Sequence, residues 1–495
     1  MSPSEAVADA DTALAEPTNA RAWRRITLHW TVVVAVLFLL MLLAGLTMRA
    51  YQGGYVMGLG PEWFYALLTV HGLGMVGTWY VGAMAGVSYR LARFARPALG
   101  VARFAYLGTA VGVVLLVLST LVGRFGAGWY FLHPLPFHSG GMWPEWSIGV
   151  FFAALGVLGV TWTIWTLDLL RAVARRYSLG GALAWHVIRG KQGPDTPPFV
   201  LVATSTLISA IAAFVAAVIM LVLFVAEWLG GQFVNDALLM KNLVFFFGHG
   251  LVNITMYLGV ALVYDLLPEF SSRKLSVNKL VAWAWNLAIL LVLLVYFHHL
   301  YMDFMQPRFL QYLGQIGSYL IAIPAAVISI FSVLYVVYGA RVRWTLAAMF
   351  LFFGVMGWAI GGVQAVIDST ISANFRFHNT LWVPAHFHTY YLLGVVMMVL
   401  GTLHHLAGEF AEAPENARLS KVITTLFLIG GYGFILMFAL GGAHSVPRRF
   451  AAYPQDVAQG IGYARMALPF IAVLAGAVLL YLWDTGRRCA QAFRA

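Results

Sequence analysis

Leu381-Trp382-Val383-Pro384-Ala385-His386-Phe387-His388 opens an apolar run that continues to about residue 407. A run of that length can cross a lipid bilayer as a helix. Two imidazoles are costly there, so each is a functional candidate. On a helix, residues i and i+2 point about 200° apart. One helix therefore offers a ligand on each of two sides. A single-metal chelate on one face would instead want i,i+4. The spacing favours two planar cofactors flanking one helix.

The rest of the chain supplies a matching frame. Of its 495 residues, 61% are hydrophobic and 10% charged, where a soluble protein carries about a quarter charged. Twelve apolar runs lie at roughly 26–48, 64–87, 102–122, 146–170, 199–229, 238–267, 280–304, 313–338, 346–367, 381–407, 422–442 and 463–483. In lipid the backbone must bond to itself, so each is read as a helix. The expected fold is an all-α integral membrane protein with about twelve transmembrane helices. Residues 24–485 form its core, and 1–23 and 486–495 are expected to be cytoplasmic tails, the first disordered. That first tail is polar, with Asp9, Asp11 and Glu16, and does not resemble a secretory signal. The one cysteine, Cys489, allows neither a disulfide nor a thiolate metal cluster.

The net charge of +11 does not imply a nucleic acid partner. With the N-terminus cytoplasmic, 22 of the 30 Lys and Arg fall on the inner side. That is the positive-inside bias of a membrane protein. Both termini are then expected inside, in the plasma (inner) membrane of a bacterium or archaeon.

Four further histidines within spans combine with these two. His298 and His299 are adjacent near the end of the seventh run. Neighbouring residues do not share a helix face, so a shared metal needs a distorted turn. His249 sits between Gly248 and Gly250, and His71 precedes Gly72. Small neighbours let something bulky approach closely. Any one of these histidines alone could be an interhelical hydrogen bond. Together they are more than that. At 1.5 Å per residue, all six fall within a layer roughly 10 Å deep in the outer half of the bilayer. The pair His404-His405 lies about 24–28 Å deeper on the tenth run and is expected to be structural.

These runs resemble subunit I of the heme–copper oxidase superfamily, across roughly residues 25–485. That family carries one histidine on its second helix, one on the sixth, an adjacent pair on the seventh and His-x-His on the tenth. The resemblance implies that His71 and His388 are axial ligands of a low-spin heme, expected to be b-type. It implies that His386 is the proximal ligand of a high-spin heme, and that His249, His298 and His299 hold one copper. Imidazole suits copper. Arg448 and Arg449 resemble the arginine pair that binds heme propionates, and His378 a residue near them. Gly128-Trp129-Tyr130 through His133-Pro134-Leu135 resembles the loop after the third helix. His298 through Asp303 and His378-Asn379-Thr380 look closest to the B-type branch. A second, cupredoxin-like or cytochrome c-type subunit is implied, with cytochrome c, cupredoxin or quinol as donor. A heme-binding sensor or transporter is the rival class, but it would need neither the arginine pair nor six histidines at one level.

The sequence departs from the pattern at Asn253. Oxygen-reducing A- and B-type members carry a tyrosine four residues after the sixth-helix histidine, which supplies an electron and a proton. Another branch places it on the seventh helix, yet residues 271–295 contain none. Tyr257, Tyr264 and Tyr296 match neither position. Reducing two NO to N₂O needs two electrons and no O–O scission. The expectation is therefore a nitric oxide reductase, with O₂ reduction to water by a cytochrome c or quinol oxidase as the alternative. Iron-containing NO reductases carry a glutamate at this position, so copper is kept. Gly250-Leu251 replaces a Pro-Glu, which leaves no glutamate-ended proton path to expect. Tyr264, Thr255, Ser318 or Tyr319 could carry protons from inside, and Glu227 or Asp303 from outside. Each also has an ordinary structural reading.

Overall fold

The computed structural model describes residues 12–14, 16–231, 233–302 and 305–494; Asp303 lies outside them. The described residues form twelve helical rods and no strand, with one isolated bridge between Thr380 and Pro447. The rods are α1 (Pro17–Gln52), α2 (Pro61–Leu91), α3 (Leu99–Val117) with a π-turn at Leu118–Val122, and α4 (Glu145–Tyr177). Next come α5 (Pro198–Gly230), α6 (Ala237–Ser271) and α7 (Lys279–Leu294), which tightens into a 3₁₀ turn at Val295–Leu300. α8 runs from Arg308 to Val337 through a π-turn at Ile323–Val327, and α9 is Leu346–Ser369. α10 runs from Trp382 to Phe410 through a π-turn at Tyr391–Val396, followed by α11 (Ala417–Ala443) and α12 (Gln459–Arg494). Eleven rods are long and apolar enough to cross a membrane. The twelfth, α2, has 31 residues but spends several on Gly, Tyr and Trp.

Both ends are more helical than the sequence suggested. α1 starts at Pro17 rather than after residue 23, because a proline at the first helical position is already shaped for a helix. α12 continues to Arg494 because its buried face does not stop at 485: Arg488 and Cys489 are 2% exposed.

Sequential rods pack in pairs, α1 on α2, α3 on α4, α5 on α6 and α11 on α12, and α12 closes back on α1. α10 is the axis. It touches α2, α6, α9 and α11, and 94% of its most apolar stretch is buried. Glycines on α9 let it come this close. A Cβ on Gly357 would overlap the Leu393 carbonyl oxygen, and one on Gly361 would lie 2.7 Å from Tyr390 Cα. Neither contact can relax by turning a side chain. We expect Gly357→Ala to destabilise the protein by about 1–3 kcal/mol, as overpacking does. Thermal denaturation in detergent would show this. Gly476→Ala is the control, since a Cβ there meets nothing within 4 Å.

At the end away from the six histidines, buried charges tie rods together. Arg90 pairs with Asp265 and Glu269, joining α2 to α6. His404 donates to Asp484 at 2.8 Å, and Arg488 holds the same carboxylate at 3.0 Å. His405 faces Glu409 at 3.6 Å. The second histidine pair is thus used in packing.

Candidate metal centre

One cavity of about 670 Å³ is lined by His71, His249, His298, His299, His386 and His388. Neither His404 nor His405 lines it. The chain therefore brings together the six histidines that depth alone had grouped.

Three of them share one hydrogen-bond arrangement. His71 Nδ1 meets the Met41 carbonyl at 2.7 Å, His388 Nδ1 that of Pro384 at 2.7 Å, and His386 Nδ1 that of Gly361 at 3.1 Å. A carbonyl only accepts, so each Nδ1 carries the proton. Each Nε2 is left with a lone pair, as an axial ligand requires. The His71 ring also rests on Gly45, where a Cβ would lie 2.8 Å from Cε1. Two of these rings come from one helix, through the His-x-His spacing.

His249, His298 and His299 form the other group. Their candidate ligand nitrogens lie within 4.8 Å of one another. The distorted turn expected at His298-His299 is the 3₁₀ turn that ends α7. It brings the two rings to 4.2 Å and their Nε2 atoms to 3.0 Å. Ser318 Oγ donates to Gly314 O at 2.6 Å, so it accepts from His298 Nδ1 at 2.8 Å. His298 thus directs a lone pair toward His299. A cation between these nitrogens lets both act as ligands, and a set of three imidazoles fits copper.

The glycines beside the histidines admit Trp129. A Cβ on Gly72 would lie 3.3 Å from its ring, and one on Gly248 3.1 Å. The loop after α3 therefore wedges between the His71 and His249 rods. Its neighbour Tyr130 lies under the Arg449 guanidinium, 3.7 Å from ring centre to carbon. Arg448 donates to Asn379 Oδ1 at 3.0 Å, and its N–H to the Asn379 carbonyl at 2.9 Å. These bonds hold the 378–380 segment against the arginine loop. Burial, then Arg449, pushes the Arg448 pKa down to about 9, against the pull of Tyr130 and Asp368. Burial, then Arg448, Lys241 and Arg449, pushes His378 down to about 4 and keeps it neutral. Two adjacent half-buried guanidiniums, opposed by little negative charge, fit the carboxylates of a bound cofactor.

Asn253 stands where the α6 pattern placed it, with Nδ2 donating to His249 O at 2.9 Å and lying 3.2 Å from His249 Nε2. The sequence reading missed its partner. Tyr390 donates its hydroxyl to Asn253 Oδ1 at 2.7 Å, across 137 residues of chain. The tyrosine positions of the family pattern fall on α6 and α7. The signal was on α10, where Tyr390 is one helical turn beyond His386 on the same face.

The hydroxyls considered for proton entry do not share one chain among the described residues. Tyr264 bonds Ser329 and Ser332, Tyr319 bonds Thr370, and Ser318 serves His298. Glu227 is held by His133 and Asn235 near the outer loop.

Residues 25–479 match the family model described as Cytochrome C and Quinol oxidase polypeptide I. The cytochrome c oxidase subunit 1 of Synechocystis is 24% identical over 83% of this chain and 75% of its own length. That of Thermus thermophilus is 25% identical over 84% and 74%. A probable quinol oxidase subunit 1 of Staphylococcus epidermidis is 25% identical over 75% of this chain, which spans 56% of that relative. Among solved structures, a heme–copper terminal oxidase dimer has the same fold, with a TM-score of 0.71 at 18% identity, over 94% of this chain and 84% of that one. With its six-histidine cavity and twelve-rod bundle, the chain belongs to the heme–copper oxidase subunit I family. It is a multi-pass protein of the plasma membrane.

Proposed function

We propose that this chain is the catalytic subunit of a terminal oxidase that reduces dioxygen to water. The observation that carries this is the Tyr390 hydroxyl on Asn253. The sequence reading preferred NO because no phenol was found near His249. A phenol stands within one hydrogen bond of that position, so the objection to dioxygen loses its force. The relatives described above, each an oxidase subunit, support the same reading. NO reduction is kept as the second reading because Asn253 itself cannot be oxidised.

In this proposal His71 and His388 hold a low-spin, b-type heme, His386 holds a high-spin heme, and His249, His298 and His299 hold copper. When bound, these groups supply one-electron transfer and a seat for a diatomic ligand. The protein's part is to fix imidazole orientation, through the carbonyls of Met41, Pro384 and Gly361 and the Ser318 hydroxyl. Arg448 and Arg449 neutralise the heme carboxylates, with His378 beside them. Electrons arrive from cytochrome c, cupredoxin or quinol through a second subunit. The B-type likeness and cytoplasmic termini belong to the same reading.

The test is turnover of purified protein with one reduced donor, offered O₂ or NO. O₂ uptake without N₂O supports the oxidase. N₂O formation with negligible O₂ uptake would replace it with the second reading. A further expectation concerns the arginines. Arg449→Leu should weaken heme retention by about 1.5–3 kcal/mol, as loss of a charged hydrogen bond does. The heme-to-protein ratio after dilution would read it; an unchanged ratio removes the propionate assignment.

A further inference from the structure

Tyr390 and Asn253 do more than fill a gap. Asn253 Nδ2 donates to the His249 backbone carbonyl, which can only accept. That contact fixes which end of the amide is NH₂. The oxygen end must then receive a proton, and the Tyr390 hydroxyl supplies it at 2.7 Å. Donation therefore runs one way, from α10 to α6, and ends beside the triad.

The backbone is built to seat this chain. Gly361 gives its carbonyl to His386 Nδ1, and its missing side chain makes room for the Tyr390 backbone. The π-turn of α10 begins at the next residue, Tyr391. Tyr390 also lines the cavity shared by His386 and the triad.

The second proton of the Asn253 amide points at His249 Nε2, 3.2 Å away. A neutral imidazole that ligates a cation through either nitrogen leaves Nε2 bound to it or carrying the ring proton, so this N–H loses its acceptor. A buried donor without a partner is unfavourable. The remaining acceptor is whatever binds between His386 and the triad.

We propose that Tyr390 is a positioning residue that holds the Asn253 amide so that its free N–H donates to a small diatomic ligand bound between His386 and the histidine triad. The ligand class is one that gains negative charge on reduction. The proposal rests on the triad holding a metal, and is indifferent to whether the diatomic is O₂ or NO.

Carbon monoxide bound to the reduced holoenzyme is the probe, because its infrared stretching band responds to nearby donors. Asn253→Ala should shift the band and lower turnover about 10²-fold, the range for losing one preorganised donor. Tyr390→Phe should shift it the same way by less and broaden it. Heme and copper content should stay at the parent level in both. In the Asn253→Ala background, Tyr390→Phe should add nothing, since residues acting through one another are not additive. An unchanged band in Tyr390→Phe, or independent additive shifts, overturns the proposal. If Tyr390→Phe fails to assemble, 3-fluorotyrosine at position 390 replaces it. A more acidic phenol donates more strongly, so the band must move in the opposite sense; a band that does not move is equally fatal. A parent protein that binds heme but no copper overturns the metal reading first, and metal analysis identifies that failure separately.

Discussion

His299→Ala is expected to yield a folded protein that keeps its hemes, lacks copper, and turns over about 10³-fold or more slowly. The size follows from the geometry. The three candidate ligand nitrogens lie within 4.8 Å, and His299 shares the closest approach, with its Nε2 3.0 Å from that of His298. Two imidazoles on separate rods cannot replace a closed set of three. Alanine should not unfold the site, since His299 mainly stacks on Phe245 and no backbone bond depends on its ring. His405→Ala is the matched control: it removes a histidine that faces Glu409, away from the cavity. Metal analysis per heme reads the result. Copper retained at the parent ratio in His299→Ala would remove the triad from the copper site.

His71→Leu should convert the six-coordinate, low-spin heme signal to a five-coordinate one and cut turnover by about 10²-fold or more. Two losses combine. A heme held by His71, as proposed, would lose a ligand nitrogen, and the Met41 carbonyl loses the donor it holds at 2.7 Å. A leucine keeps much of the ring's volume where Gly45 leaves almost no slack, so the rods should stay in place. The triad lies on α6 and α7, so its copper should be retained. Optical spectra of the reduced protein distinguish the cases. An unaltered low-spin band would mean that the ligand is another residue.

Much of this was legible in the sequence because a polar group in hydrocarbon must have a use. The His-x-His of α10, the distorted pair of α7 and the glycines beside His71 and His249 each led to a geometric expectation. The cavity unites those six side chains, and Trp129 is the bulky group the glycines admit. Three features were not legible. The helices run past the apolar stretches because a proline can open a helix in polar sequence, as Pro17 does, and a polar end can continue a buried face, as Arg488 does. Tyr390 was missed because a contact across 137 residues leaves no local pattern. The docking glycines of α9 were missed because a glycine is conspicuous only when the partner backbone is known. The preference for NO followed from the second of these omissions.

The π-turn at Tyr391–Val396 has a consequence for how this family of sites can change. A π-turn is an α-helix carrying one additional residue in a turn. It therefore divides α10 into two halves with separate angular phase. The half before it aims His386, His388 and Tyr390; the half after it packs on α9 through Met398, against Gly354. Deleting one residue there would turn one half against the other by about 100°. Either the ligands or the packing face would then be misaimed. The insertion thus acts as a phase offset: it lets the ligand-bearing end of the rod, seated on Gly361, be aimed independently of the end that packs on Gly354.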